Sequence, residues 1–320
     1  GSGGVGPLEA SILNNENPRL LSIIHPAESV WQFFPNELAF FNLPGDGKLA
    51  NPIAREITAF EINPLPLVQG DTIVLSIQTD QAAELTGELN GRTLNFFSPG
   101  GSQYFALQGI HAMAEPGLAD FSISGKFANG REFSFSQKLV IKAGVFSKDP
   151  VLYVDPETID PENTKPEEEL IQSKIKDATP AKKWDGLFKL PVDEPFCIYS
   201  YFGNRRSYNG GEYKYFHTGL DFGVCATLNI YAPAAGTVVF AGPQTVRGNL
   251  VLIDHGWGVY SGFYHMKEIL VQVGDVVAAG ELLGSIGDTG RVTGPHLHYE
   301  VWVNGVQVNP ETWIFDRAYP

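Results

Sequence analysis

The last 104 residues of the chain hold five of its seven histidines, and two groups stand at spacings that suit metal chemistry. His217 precedes Asp221 by four residues, and His296, His298 and Glu300 follow one another at intervals of two. Imidazole nitrogens and carboxylate oxygens are common ligands of Zn²⁺ in proteins. The spacing therefore predicts a metal site assembled from two separate stretches of sequence.

The second group shares one face if it lies on a β-strand. Successive side chains of an extended chain point to opposite faces, so His296, His298 and Glu300 lie on the same side. Their Cα atoms are then roughly 6.5 Å apart per pair, from a rise of about 3.3 Å per residue. This spacing suits one histidine on a metal with the other beside it, and it equally suits both as ligands.

The first group requires a bend in the chain. On a fully extended strand the Cα atoms of His217 and Asp221 would be roughly 13 Å apart, too far for two ligands of a metal whose bonds are about 2 Å long. Thr218-Gly219 supplies the bend, because glycine accepts backbone angles that other residues avoid. Two imidazoles and one carboxylate would hold Zn²⁺ with a fourth position left to water, as in catalytic zinc sites.

Short strands separated by glycines must position these groups. Over 184–320 no window shows a clean helical period, which predicts an all-β domain with antiparallel strands. His255, beside a hairpin turn in IDHGWG, is predicted to be structural. Residues 65–142 alternate apolar and polar residues between turns such as Asn90-Gly91, which favours an all-β sandwich of immunoglobulin type.

The remaining stretches are an N-terminal extension and a linker. Residues 1–10 have the composition of a tag or linker, and 11–143 form an N-terminal β region that includes the sandwich, with 11–64 as either a small β unit or packed arms. Residues 144–183 are rich in charge and proline, which predicts an acidic linker with a short helix from Pro166 to Lys176. This linker is either a solvated spacer or a gate over the site of the next domain.

Composition restricts function and location. The 320 residues carry 22 Lys plus Arg against 36 Asp plus Glu, a net charge of −14, which argues against nucleic-acid binding. No stretch approaches the ~20 apolar residues of a membrane span, and a signal segment is expected to lie outside this sequence. The two cysteines, Cys197 and Cys225, form either one disulfide or two buried thiols.

Several motifs of the last domain resemble those of the lysostaphin/LytM-type zinc metallopeptidases of bacterial cell walls. They are FHTGLDFG, APAAGTVV, GNLVLIDHG, YSGFYHM, VGDVVAAGELLGSIGDTGRVTGPHLHYEV and VNP. The resemblance is dense over about 190–312 and weaker through VDPETIDPEN and KKWDG. It implies a zinc endopeptidase with one Zn²⁺ per chain, which cleaves peptidoglycan stems or cross-bridges outside the cytoplasm of a bacterium, in the periplasm, in the cell envelope or as a secreted protein.

The resemblance also assigns roles to single residues. His217, Asp221 and His298 are the implied zinc ligands, and His265 and His296 are the implied catalytic histidines beside the metal. The sequence contains no HExxH motif to supply a glutamate base, so proton transfer falls to these two histidines.

Three further residues receive supporting roles. Glu300 either orients an imidazole from outside the metal site or packs at the sheet edge. Asn204 and Arg205, in the turn YFGNRR before the first ligand, either help to form the substrate groove or belong to a surface turn.

Two other functions are alternatives. A non-catalytic or self-inhibited cell-wall-binding regulator of other wall hydrolases keeps the same residues, with 145–183 holding the site shut. A biotinyl/lipoyl-type carrier bears its cofactor on Lys267 in a hairpin, but carriers have no use for the HxxxD and HxH motifs. The N-terminal region is expected to bind wall polymers, to pair with an envelope protein partner, or to act as a spacer.

Overall fold

The computed structural model describes residues 56–320, together with the backbone of the two-residue strand Trp31–Gln32 (β1). The tag or linker predicted at 1–10 and most of the predicted β unit or arms at 11–64 lie outside the described residues. The chain divides into two compact units, one formed mostly by residues before Gly144 and the other mostly by residues from Gly144 onward.

In the part of the first unit that the structure describes, ten strands are present. After β1 they are Ile57–Asn63 (β2), Leu67–Val68 (β3), Thr72–Thr79 (β4), Ala83–Leu89 (β5), Arg92–Thr93 (β6), Phe97–Gly100 (β7), Gln103–Gly109 (β8), Gly117–Phe127 (β9) and Glu132–Lys142 (β10). They form two five-stranded sheets, ordered β1-β2-β4-β8-β7 and β3-β10-β9-β5-β6. The sequence predicted a sandwich that starts at residue 65, but strand β2 already lies before that residue.

The two sheets of this unit pack face to face. Buried and more exposed residues alternate along β10, as they do in a sheet with one face on the core. Phe60 of β2 contacts Phe121 of β9 and Phe135 of β10 from the opposite sheet, with ring centroids 6.2 Å apart in both pairs. The immunoglobulin-type topology of this unit stays a prediction.

Twelve strands make up the second unit. They are Ile198–Ser200 (β11), Arg205–Arg206 (β12), Tyr215–Phe216 (β13), Leu220–Gly223 (β14), Asn229–Tyr231 (β15), Gly236–Gly242 (β16), Asn249–Gly256 (β17), Val259–Ile269 (β18), Val276–Val277 (β19), Leu282–Ile286 (β20), His296–Val303 (β21) and Val306–Val308 (β22). Ten of them form one sheet with the main order β11-β14-β21-β18-β17-β16-β19. The prediction of an all-β fold with antiparallel strands is confirmed.

The central strands β17, β18 and β21 are buried along most of their length rather than at every second residue. Both faces of the sheet are therefore covered in this region. A single π-helical turn, Thr312–Asp316, follows the last strand.

A 3₁₀ turn at Pro156–Ile159 and a helix at Pro161–Ile175 (α1) precede these strands. Asp160 caps α1, since its Oδ1 accepts the N–H of Glu162 at 2.9 Å. Pro161 suits the first turn, where its missing N–H has no partner to lose. The helix therefore begins earlier than Pro166, the start that the sequence suggested. No helix within the described residues is long and apolar enough to cross a membrane.

Helix α1 packs into the core of the second unit. Ile171 and Ile175, one turn apart, are 0% and 2% exposed. Their cluster also contains Leu250, Leu252, Tyr260, Tyr264 and Trp302 from β17, β18 and β21. This helix lies in the predicted linker at 144–183, and two isoleucines four residues apart give the otherwise polar helix an apolar stripe.

Cys197 and Cys225 form a disulfide, with Cα atoms 6.0 Å apart. The sequence left this pairing open. The bond ties the start of β11 to the chain that follows β14.

Candidate metal centre

Strand pairing brings together the two groups of residues found in the sequence. Strand β14 runs antiparallel to β21, with Asp221 opposite His298. His217 stands just before β14, and Gly219 allows the chain to pass between it and Asp221. A Cβ at Gly219 would collide with the carbonyl oxygen of Tyr299, so this close approach of two backbones requires glycine.

Three ligand atoms meet at this point. His217 Nε2 lies 2.9 Å from Asp221 Oδ1, and His298 Nδ1 lies 2.8 Å from the same oxygen. The two nitrogens are 2.9 Å apart. All three residues are buried, and together they could hold a metal ion.

The outer contacts of the two imidazoles leave one ring nitrogen of each to face the cluster. His217 Nδ1 donates to the carbonyl oxygen of Tyr201 at 2.9 Å, so its Nε2 keeps a lone pair. His298 Nε2 donates to Glu300 Oε1 at 3.0 Å, so Nδ1 is the nitrogen that faces the cluster. The two inner nitrogens and a carboxylate oxygen then face one another, an arrangement that a cation can stabilise by taking the place of a proton between them. The donor set fits a zinc site with an open position.

Burial and charge act against each other in this cluster. Burial lowers the pKa of His217 to about 4. Burial raises the pKa of Asp221, but the charge and hydrogen bonds of His217 and His298 hold it well below 3.8. Burial lowers the pKa of His298, but hydrogen bonds to Asp221 and Glu300 raise it above 6.5 overall. Asp221 is therefore ionised at neutral pH.

His265 and His296 stand beside the cluster, with ring centroids 4.9 Å apart. His265 Nδ1 donates to the carbonyl oxygen of Thr289, and His296 Nδ1 to that of Gly294, both at 2.8 Å. Each Nε2 therefore keeps a lone pair. Burial lowers both pKa values below 6.5, so both rings are neutral at pH 7 and can accept a proton.

The spacing on β21 left open whether His296 and His298 are both ligands. His296 Nε2 lies 3.6 Å from Asp221 Oδ1, against 2.8 Å for His298 Nδ1. His298 is thus within the cluster of ligand atoms, and His296 lies at its edge.

The backbone of His265 adopts a left-handed conformation, with a φ of 63°. Such angles are costly for residues other than glycine and concentrate at functional sites. The N–H of His265 donates to the carbonyl oxygen of Arg247 at 3.1 Å. Glu167 of α1 accepts the N–H groups of Val246 and Arg247 at 2.7 and 3.1 Å. Helix α1 therefore helps to fix the loop behind this histidine.

Arg206 is a site residue that the sequence reasoning missed. Its Nη2 donates to Asp221 Oδ2 at 2.8 Å, so that only Oδ1 faces the imidazoles. Arg205 and Arg206 are neighbours on β12 and therefore point to opposite sides. Two adjacent arginines on a strand indicate that one of them points toward the site, but the sequence does not show which one.

Asn204 and Arg205 have structural contacts of their own, and their part in a substrate groove stays a prediction. Asn204 is buried, and its Nδ2 donates to Asp149 Oδ1 at 2.7 Å. The guanidinium of Arg205 lies over the ring of Phe146, 4.8 Å from its centroid. Alternation on β12 explains this outcome, since it turns Arg205 away from the side that Arg206 occupies.

Glu300 is 2% exposed and contacts the imidazole of His298 directly. Its Oε2 accepts the hydroxyl of Tyr264 at 2.7 Å and the indole N–H of Trp302 at 2.8 Å. Of the two roles considered for Glu300, these contacts correspond to the orienting one.

His255 and Lys267 do not belong to the cluster of candidate ligands. His255 is buried between the carbonyl oxygen of Ala235 and Ser261 Oγ, both at 2.8 Å from its ring nitrogens, which is a structural role. Lys267 is exposed within β18 rather than in a hairpin turn. The arrangement around Lys267 therefore does not support a biotinyl or lipoyl carrier.

Comparison with known proteins gives one family for this region. Residues 215–310 match the family described as Peptidase family M23, which confirms the resemblance carried by the sequence motifs. The chain is 39% identical over 121 residues to the peptidoglycan DD-endopeptidase ShyA of Vibrio cholerae, covering 38% of this chain and 28% of that protein. It is 42% identical over 94 residues to the DD-carboxypeptidase/endopeptidase Mpg of Neisseria meningitidis, covering 29% of this chain and 22% of that protein.

A solved structure extends the similarity beyond this region. A crystal structure of an M23 peptidase from Pseudomonas aeruginosa superposes with a TM-score of 0.59 at 27% identity, covering 79% of this chain and 96% of that one. The matches to the two curated relatives span less than a third of the length of either protein.

Proposed function

Because residues 215–310 are a peptidase domain of family M23, we propose that this chain is a zinc-dependent endopeptidase that hydrolyses peptide bonds in peptidoglycan stems or cross-bridges. One observation carries the proposal: one ligand atom each of His217, Asp221 and His298 meet within 2.9 Å of one another, and two neutral histidines stand beside them. The name of the Vibrio cholerae relative, a peptidoglycan DD-endopeptidase, supports the substrate class.

Each residue of the site then has a role in hydrolysis. His217, Asp221 and His298 would hold Zn²⁺, which would supply a Lewis acid and a bound water of lowered pKa. His265 and His296 are the proton-transfer residues, because each presents an Nε2 lone pair and has its Nδ1–H fixed on a carbonyl oxygen. Either ring can accept a proton from the attacking water, and once protonated can donate to the developing oxyanion or to the leaving amine.

The disulfide supports an extracytoplasmic location, since disulfides persist mainly in oxidising compartments. The proposed site of action is therefore the periplasm, the cell envelope or the medium around a bacterium. The N-terminal unit is proposed to contact the wall or an envelope protein partner.

The test combines metal analysis with digestion of purified peptidoglycan by the full chain and mass spectrometry of the released fragments. We expect one Zn²⁺ per chain and released muropeptides whose masses identify the bond. His296→Ala and His265→Ala are expected to keep the metal and lose cleavage, whereas His217→Ala loses both. Ser261→Ala, at the partner of the structural His255, serves as the control outside the site.

Two outcomes contradict the proposal. A metal-loaded chain that releases no peptide fragment would favour the alternative of a non-catalytic wall-binding regulator. Full activity of His296→Ala and His265→Ala would remove the assigned proton-transfer roles.

A further inference from the structure

Asp149 lies in the stretch that composition assigned to a linker, yet it is only 7% exposed and its carboxylate is fully engaged. Its Oδ2 accepts the hydroxyl of Ser200 at 2.7 Å and the Nε–H of Arg206 at 2.9 Å. Its Oδ1 accepts the amide of Asn204 at 2.7 Å. The backbone is also fixed, since the carbonyl oxygen of Asp149 accepts the hydroxyl of Tyr213 at 2.9 Å.

The first connection from Asp149 to the metal cluster runs through Arg206. The guanidinium lies between two carboxylates, with Nε on Asp149 Oδ2 and Nη2 on Asp221 Oδ2. Because Arg206 occupies the outer oxygen of Asp221, only Oδ1 remains for a metal ion. Asp149 in turn sets the plane of the guanidinium, since a fork of N–H donors has a fixed geometry.

The same pairing balances charge. Arg206 is a largely buried cation close to the point where a divalent ion would bind. Such a cation disfavours a second positive charge nearby unless a carboxylate compensates it. Asp149 provides that compensation, so the negative charge of Asp221 remains available to the metal.

The second connection runs through Ser200. Its hydroxyl donates to Asp149, so the lone pairs of Ser200 Oγ are available to His217 Nδ1, which lies 3.0 Å away. This contact and the carbonyl oxygen of Tyr201 keep the proton on Nδ1. Nε2 of His217 therefore keeps its lone pair for a ligand bond.

We propose that Asp149 is a positioning residue of the metal centre, which fixes Asp221 through Arg206 and His217 through Ser200. The inference rests on the proposed function only in taking His217, Asp221 and His298 as the metal ligands. It makes the stretch before the peptidase strands a part of the active site rather than a spacer or a gate.

The experiment measures Zn²⁺ affinity of the full chain by competition with a chromogenic chelator, and the visible absorption spectrum of the Co²⁺-loaded protein. Asp149→Asn keeps the size of the side chain and removes its charge. We expect it to weaken Zn²⁺ binding by about 10- to 100-fold, the usual effect of losing an outer partner of metal ligands, and to shift the Co²⁺ spectrum. Asp149→Glu restores the charge and is expected to recover part of the affinity.

Two further variants separate this role from general destabilisation. Ile171→Val, in the buried cluster of α1, lowers stability but has no contact with the ligands, so Zn²⁺ affinity and the Co²⁺ spectrum are expected to stay unchanged. Ser200→Ala removes one of the two connections and is expected to weaken binding several-fold. It decides the question on its own if Asp149→Asn does not fold.

The inference is wrong if Asp149→Asn binds Zn²⁺ within twofold of the wild type with the same Co²⁺ spectrum, or, where that variant does not fold, if Ser200→Ala does. A wild-type chain that takes up no metal would overturn the proposed function itself. The two failures are distinguished by measuring the wild type first.

Discussion

Glu300→Gln tests whether a buried carboxylate sets the orientation of the His298 imidazole. The carboxylate accepts from His298 Nε2 at one oxygen and from Tyr264 and Trp302 at the other. Glutamine offers only one carbonyl oxygen. If that oxygen faces His298, the amide group faces the indole N–H of Trp302, which can only donate. If the amide group faces His298, the imidazole must move its proton to Nδ1 and lose the lone pair that points into the cluster.

The expected loss of stability can be worked out in two ways. Losing one charge-assisted hydrogen bond costs about 1.5–3 kcal/mol, and a buried donor left without a partner costs about 1–3 kcal/mol more. Separately, burial raises the pKa of Glu300, but the hydrogen bond and charge of His298 lower it overall, to about 2 from 4.5. That shift corresponds to roughly 3 kcal/mol in favour of the ionised form. We therefore expect Glu300→Gln to destabilise the metal-free second unit by roughly 3 kcal/mol at neutral pH.

Urea unfolding of the metal-free chain, followed by tryptophan fluorescence, measures this loss, because four of the five tryptophans lie between 184 and 313. The exposed Glu268→Gln is the matched control and is expected to stay within about 0.5 kcal/mol of the wild type. Zn²⁺ affinity of Glu300→Gln is expected to fall about 10- to 100-fold.

The pH dependence gives an independent check. The folded-state pKa of Glu300 lies below 4.5, so its contribution is complete above pH 4.5 and is lost as the pH falls through about 2. The difference between wild type and Glu300→Gln should therefore shrink on acidification in that window. Equal stability and equal Zn²⁺ affinity of the two proteins at pH 7 would refute the orienting role.

Three other perturbations test the second unit. Ile171→Ala is expected to cost about 2–5 kcal/mol in urea unfolding, as a large-to-small change in a packed core does, and a loss below 1 kcal/mol would contradict the packing of α1. Replacing Cys197 and Cys225 by serine is expected to cost about 3 kcal/mol, and an unchanged melting temperature would contradict it. The fragment 184–320 is expected to cleave peptidoglycan more slowly than the full chain, because it lacks α1 and Asp149; faster cleavage would support self-inhibition by 145–183.

The sequence predicted the arrangement within each of the two groups of candidate ligands, because the spacing inside a group is local. Alternation on a strand put His296 and His298 on one face, and the need for a bend singled out Gly219, where the structure shows a backbone approach that excludes a side chain. The sequence could not decide which of the two histidines on β21 is a ligand. That choice depends on distances to Asp221, which follow from the register of β14 with β21.

The supporting residues were harder to predict because they act across long distances in sequence. Arg206 and Arg205 are chemically equivalent neighbours, and only the direction of β12 decides which one reaches Asp221. Asp149 stands among charged residues whose composition indicated a solvated linker. Its partners lie more than 50 residues further on.

Three carboxylates are buried at points where a strand or loop of the site must be held, and two of them, Asp149 and Glu167, lie in the stretch that the sequence predicted to be an acidic linker. Glu167 holds the loop behind His265, Asp149 holds Arg206, and Glu300 holds His298. An ionised carboxylate accepts several hydrogen bonds at once, so one side chain can fix two or three groups that have no partner in the sheet. Such an anchor is stable when buried only if its acceptor positions are filled. Removing any one of the groups that donate to these carboxylates should therefore disturb the geometry of the site as well as lower the stability of the fold. Carboxylates on the surface are not expected to have this double effect.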